Sequence, residues 1–312
     1  MKLRILVFLV VAVSIISAQN QRPVKKNLFL YFDKVVAPPA TSKEAHAKCF
    51  CDSNYAGTCS SDTLFNGLLH EVLQLQNEIS MPPGTEQGEL MKKMQDPEFQ
   101  KKMQNMSQEE KMQMAMQMSQ AMTPPAAMQP ERPSVTAAFK AYSDLNQAEA
   151  ESAQKLGEAV QKQMQEQQEL EAKHNAVDTW QEEETKKLPE ISTGESGGPD
   201  PKMVYKIHMN GWKKQLAIVD EQLKKSNKAW AEEKARLKKQ FEPFEAALEK
   251  THFGEDARNS VMKSSLGSGQ VLMLSAVQKL TSASKAQYDD AAGWYEKMLA
   301  YQKQNEYLFQ EK

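Results

Sequence analysis

The stretch HAKCFCDSNYAGTC gathers one imidazole and three sulfurs: His46, Cys49, Cys51 and Cys59. Imidazole and thiolate are the ligand types that hold a borderline or soft ion in a tetrahedral site. The spacing His-x2-Cys-x-Cys-x7-Cys follows none of the regular zinc patterns. These are the only three cysteines in the chain, so at least one is left over from any internal pairing. Outside a reducing cytosol cysteine pairs persist as disulfides. A bond from Cys59 to Cys49 or to Cys51 is therefore the simpler expectation, with a metal site as the alternative.

A second group with its own chemistry is KMQMAMQMSQAM, in which Met112, Met114, Met116 and Met118 alternate and Met122 follows. Thioether sulfur is a soft donor that selects Cu(I) over hard ions. If the segment is extended, the four alternating side chains share one face. If it is helical, Met112/Met116 and Met114/Met118/Met122 form two faces at i,i+4 spacing. With Met103 and Met106 nearby, either geometry offers several sulfurs to one ion. In this the stretch resembles the Met-rich motifs of exported copper-binding proteins, which implies copper as a ligand. The same residues also make an adaptable apolar surface for varied partners.

Two Glu-x-x-His pairs, Glu171/His174 and Glu249/His252, place a carboxylate and an imidazole on one helical face, as di-iron bundles do. Counted from the loop near residue 194, the two histidines sit at heights that differ by about 57 Å of helix, so a shared centre is not expected. No Gly-rich phosphate loop, nucleophile elbow, zinc-protease histidine pair or kinase signature occurs in the sequence. A non-enzymatic protein is the expectation. The formal charge of −2 removes the electrostatic case for nucleic acid or an acidic membrane as partner.

The elements that would carry these groups follow from composition and period. Lys2 and Arg4 precede an apolar run from Ile5 to Ile16, and Ser17-Ala18 supply small residues for cleavage, so residues 1–18 read as a signal peptide. The expected compartment is the periplasm or the cell exterior, with no membrane span after cleavage. Residues 19–80 form an N-terminal Cys-containing helical segment. Within it, Leu28–Phe32 reads as a strand or a buried turn of helix. Phe65, Leu68, Leu69, Val72, Leu73 and Ile79 make a helical stripe that starts at Ser61 or Asp62. His70 on that helix reads as an ordinary surface histidine.

Residues 81–133 hold eleven of the eighteen methionines, bracketed by Pro82-Pro83 and Pro133. Lys-Met-Gln recurs at 93, 102 and 111. A nine-residue period turns successive copies to opposite faces of one helix, so short helices or a flexible segment are expected.

Residues 134–312 carry three long helical patterns, at about 134–188, 202–250 and 269–311. Met209, Leu216, Leu223, Trp230, Leu237 and Phe244 recur every seven residues in the second. Pro243 predicts a kink or break there. STGESGGPDP (192–201) reads as a loop. In the third, Met273, Leu280, Trp294, Tyr301 and Leu308 share a heptad position that Gln287 interrupts. The first long segment holds 6 Lys against 11 Asp/Glu and the second 12 Lys/Arg against 7 Asp/Glu, net −5 and +5. Opposite charge and a short connection predict antiparallel neighbours.

The expected fold is all-α: an elongated antiparallel three-helix coiled-coil-like bundle with a smaller N-terminal helical segment. The expected function is that of an exported interaction or scaffold protein, with a chaperone-like role as a variant, which meets a protein partner or a second copy through its helices. The alternative is a copper-binding or metal-buffering protein that uses Met103 to Met122, with His46 and the cysteines as a second site.

Overall fold

A computed structural model describes residues 23–24, 26–51, 59–80, 132–154, 156–193, 196–251 and 260–310. The chain is predominantly helical. Among the described residues the helices are α1 (Tyr31–Lys34), α2 (Ser42–Lys48), α3 (Asp62–Ser80), α4 (Pro133–Gln154), α5 (Leu156–Lys186), α6 (Pro201–Glu249) and α7 (Ser260–Gln304). The described residues also form small antiparallel strand pairs, β1 (Phe50–Cys51) with β2 (Cys59–Ser60), and β3 (Glu190–Thr193) with β4 (Ser196–Pro199). Among the described residues no helix is long and apolar enough to cross a membrane. The proposed signal segment and the methionine-rich segment lie outside the described residues.

Several boundaries differ from the sequence expectation. The stretch read as a loop at 192–201 contributes most of β3 and β4, whose register sets Ile191 opposite Gly198 and Thr193 opposite Ser196. Ile191 and Thr193 are β-branched residues suited to a strand. Helix α7 starts at Ser260 rather than near 269, so Gly267 and Gly269 are helical. The break expected at Pro243 does not occur, because α6 continues to Glu249. Pro243 and Lys239 are both exposed, so the carbonyl that proline leaves without a donor can turn to water. The Leu28–Phe32 run is a 3-10 turn, Leu28–Leu30, that leads into α1.

The chain divides into two packed units. One comprises residues up to Phe32, His70–Glu149 and Lys238–Val277. Its core is aromatic: Phe32 meets Phe241 with ring centres 6.0 Å apart, and Tyr142 meets both Phe139 and Phe244. Leu28, Phe32, Ile79, Phe241, Phe244 and Met273 are almost wholly buried. Gln270, equally buried, is satisfied by the backbone of Val24. The Val24 N–H donates to its Oε1 at 2.8 Å, and its Nε2 donates to the Val24 carbonyl at 3.0 Å. A buried amide with both ends paired fixes the chain entry against α7 without a desolvation penalty.

The other unit comprises Asp33–Leu69, Ala150–Leu237 and Gln278–Lys312. Its core joins Ala45 of α2, Phe65 of α3, Val219 and Leu223 of α6, and Tyr288, Ala291 and Ala292 of α7. Here α5 and α6 meet in opposite senses: Gln215 bonds to the His174 carbonyl and to Asp178, and Gln181 to the His208 carbonyl. Helices α6 and α7 do likewise, through Trp230 with Leu280, Trp212 with Trp294 and Tyr205 with Tyr301. The heptad positions Leu216, Leu223, Trp230 and Leu237 are buried. An ion pair between α5 and α6 reverses the net charges of the two helices, with Lys173 of the acidic one meeting Glu221 of the basic one.

Candidate functional site

The short helix α2 holds His46 in place through a well-built N-terminus. Thr41 is its N-cap, and its Oγ1 accepts from the Glu44 N–H at 3.1 Å. The Glu44 carboxylate reaches back to the Ala40 N–H at 2.9 Å. The Ser42 N–H donates to Asp220 Oδ1 on α6 at 2.7 Å. Together these satisfy donors that a helix start leaves open. Ala45 is fully buried against the core, which turns the neighbouring His46 toward α7.

There His46 Nε2 lies 2.5 Å from Glu296 Oε2, and its ring centre sits 5.2 Å from that of Tyr295. The Glu296 carboxylate is largely buried, with 12% of its side chain exposed. The chain leaves α2 at Cys49 and enters β1. The register sets Cys51 directly opposite Cys59, and their sulfurs are bonded. The ligand atoms of His46, Cys51, Cys59 and Glu296 all lie within 4.8 Å of one another.

Cys49 is the remaining thiol. Its Sγ points to the Tyr288 carbonyl of α7 at 3.9 Å. Burial, helped by the charge of Asp289, pushes this thiol up to about 11, so at neutral pH it is protonated. Asp289 also accepts from the Ser61 N–H at the start of α3 and from Lys285, which in turn pairs with Asp62. One face of α7, through residues 288, 289 and 296, thus fastens α2, the cysteine hairpin and α3. Ser61 occupies the N-cap position of α3, but its hydroxyl has no hydrogen-bond partner.

Of the residues singled out from sequence, His46, Cys51 and Cys59 come together, and Cys49 lies apart from their donor atoms. Met103, Met106, Met112, Met114, Met116, Met118 and Met122 lie outside the described residues, as does His252. Glu249 accepts from Asn27, and His174 bonds to Gln215 and stacks on Trp294, so both have structural partners. His70 is exposed and within 2.9 Å of Gln74. Glu296 is the residue that sequence reasoning missed. It lies 250 positions from His46, and nothing in the local sequence marks it.

A second feature is a strip of aromatic rings on α5, α6, α7 and the turn that follows. His174 stacks on Trp294 at 4.6 Å, Trp294 meets Trp212 edge-on, and Trp212 leads to Tyr301. Tyr301 stacks with His208 and Tyr205, and Tyr205 meets Phe309 edge-on at 5.0 Å. These rings are half-buried, and Phe309 and Tyr307 at the end of the strip are 49% and 65% exposed. Lys202 lies over Phe309 and Lys297 over Trp294.

No protein-family model, no curated protein and no solved structure matches this chain.

Proposed function

We infer that this chain is an exported, non-enzymatic helical interaction protein. Its long helices α5, α6 and α7 form an antiparallel three-helix coiled-coil-like arrangement, and a half-exposed aromatic strip is its contact surface. The observation that carries the reading is that strip. Aromatic residues and methionine are the types enriched where proteins meet, because they bury much area while losing few rotamers. Exposed Tyr307 and Phe309 at its edge mark a surface suited to being covered. Lys202 and Lys297 supply a cationic rim that suits a partner segment bearing carboxylates. The methionine-rich segment adds an adaptable apolar surface on the same chain.

The test places a photo-crosslinking residue at Tyr301 or Phe309 and, as control, at exposed Lys228, in the protein's own host. Discrete adducts at the strip and none at the control are expected. Equal labelling at all three positions would sink the reading. A second copy of the chain as the adduct would identify self-association.

A second reading, copper binding, is favoured by the alternation of Met112, Met114, Met116 and Met118. Thioethers at that spacing suit Cu(I). A Cu(I) competition titration of the chain against its Met112/114/116/118→Leu variant separates the two. Loss of stoichiometric copper in the variant supports copper handling, while no difference leaves the methionines as apolar surface, since leucine is nearly isosteric.

A further inference from the structure

The geometry points to a redox-gated zinc site made of His46, Cys51, Cys59 and Glu296. The four donors come from α2, β1, β2 and α7, and their ligand atoms already lie within 4.8 Å of one another. Packing brings a carboxylate from 250 residues away onto a histidine beside a cysteine pair. Two thiolates, one imidazole and one carboxylate are a tetrahedral zinc donor set, with Zn–S near 2.3 Å and Zn–N and Zn–O near 2.0–2.2 Å. Hard cations prefer all-oxygen shells and Cu(I) prefers sulfur, so the mixed set selects Zn2+.

Tetrahedral donors at those bond lengths lie about 3.3–3.8 Å apart. Two pairs are now closer than that. One is the bonded Cys51 and Cys59 sulfurs, the other is the His46–Glu296 contact at 2.5 Å. Reduction frees the first pair. An entering cation then takes the place of the hydrogen bond in the second, the imidazole proton moving to His46 Nδ1, so neither residue has to leave its element.

The exchange balances with a dithiol as reductant. Its thiolate attacks one sulfur of the Cys51–Cys59 bond to give a mixed disulfide, and its second thiol closes on that bond. The reductant leaves as a cyclic disulfide, having given two electrons and two protons, and Cys51 and Cys59 are left as thiols. Zn2+ then forms two S–Zn bonds and releases both thiol protons. A disulfide oxidant reverses the sequence: it takes two electrons, the Cys51–Cys59 bond re-forms and Zn2+ departs. Disulfide and zinc exclude each other because both need the same two sulfurs. The site shares no residue with the aromatic strip, and its test does not depend on any partner.

The experiment titrates Zn2+ into the purified chain, anaerobically, against a chromophoric chelator, with the protein either disulfide-bonded or reduced by a phosphine. One equivalent bound by the reduced chain and none by the oxidised chain is expected. Co2+ should give thiolate-to-cobalt charge-transfer absorption in the reduced chain alone. Glu296→Gln, which leaves the disulfide intact, should weaken zinc at least tenfold after reduction, whereas Cys49→Ser and Met112/114/116/118→Leu should not change it. No zinc bound by a reduced chain that keeps its helical circular dichroism overturns the proposal. So does equal binding in both redox states, or wild-type affinity in Glu296→Gln.

Discussion

The ring of Phe244 occupies the space that a Cβ on Gly269 would need: its Cζ lies 2.2 Å from that position. Glycine inside a helix costs roughly 1 kcal/mol relative to alanine, so its presence in α7 calls for a reason. Close passage of the buried Phe244 of α6 supplies one. Gly269→Ala should therefore destabilise the protein, by about 1–3 kcal/mol, despite the gain in helix propensity. Pairing it with Phe244→Leu should recover part of the loss, a coupling that a double-mutant cycle by denaturant unfolding would measure. Gly211→Ala is the contrast. There the obstructing group is the end of the Gln181 side chain, 1.7 Å from the added carbon, which can swing away at the cost of its bond to the His208 carbonyl. Its effect should be within about 1 kcal/mol of zero, since the lost bond offsets the helix gain. A Gly211→Ala loss as large as that at Gly269 would contradict this account.

Glu245 in α6 is buried, and its Oε2 has no hydrogen-bond partner. Burial first, and the charge of Glu249 second, push its carboxyl from 4.5 up to about 7. Between those two values the native state binds more protons than the unfolded state, so stability falls as pH rises. The penalty is fully developed above the folded value. Glu245→Gln removes it and should stabilise the protein at pH 8, by on the order of 1–2 kcal/mol, while changing little near pH 4.5. Thermal melts of both proteins at the two pH values check this. A variant less stable than wild type at pH 8 would mean that the ionised carboxylate has a stabilising partner.

The Cys51–Cys59 bond closes a short loop, with a sequence separation of 8, between two strands of two residues each. Chain-entropy arguments give a loop of that size about 2–3 kcal/mol. Cys51→Ser with Cys59→Ser, measured in chelator so that zinc plays no part, should lower stability by about that amount. The loss should be felt first where the hairpin meets α7. Hydrogen exchange at the Ser61 N–H, bonded to Asp289, should rise before exchange in the α6 seam does. Simultaneous loss of protection at Trp230 and Ser61 would refute a local effect.

The long helices were legible in the sequence because seven-residue apolar spacing writes itself directly into burial: Leu216, Leu223, Trp230 and Leu237 are inside as their positions require. Local breaker signals were less reliable. Gly269 and Pro243 each discourage a helix in isolation, yet one admits a neighbouring ring and the other faces water, and tertiary context overrides both. The strands at 190–199 were hidden because Ser, Gly and Pro composition reads the same in a loop and in a tight hairpin. At the site, the Thr41-x-x-Glu44 capping box and the cysteines are local patterns, open to a sequence reader. Glu296 is not, because its pairing with His46 depends on how α7 packs against α2, which no local spacing encodes.

Gln287 interrupts the heptad position that Met273 and Leu280 fill on α7, and its Oε1 is buried without a hydrogen-bond partner. An unsatisfied amide oxygen loses its water on folding and gains nothing in return, at a cost of about 1–3 kcal/mol. Gln287→Met keeps the length and shape of the side chain and removes that polar group, so it should raise stability by about 1 kcal/mol. The neighbouring test is Gln270→Met on the same helix. That residue is more deeply buried, 1% exposed, but its amide is bonded at both ends to the Val24 backbone. Its replacement strands a backbone donor and a carbonyl, so it should destabilise by about 2 kcal/mol or more. Opposite signs for one chemical change, read by denaturant unfolding, would show that the state of pairing, and not burial of glutamine as such, sets the energy. A loss in both variants would mean that the Gln287 amide is held through its nitrogen strongly enough to outweigh its unpaired oxygen.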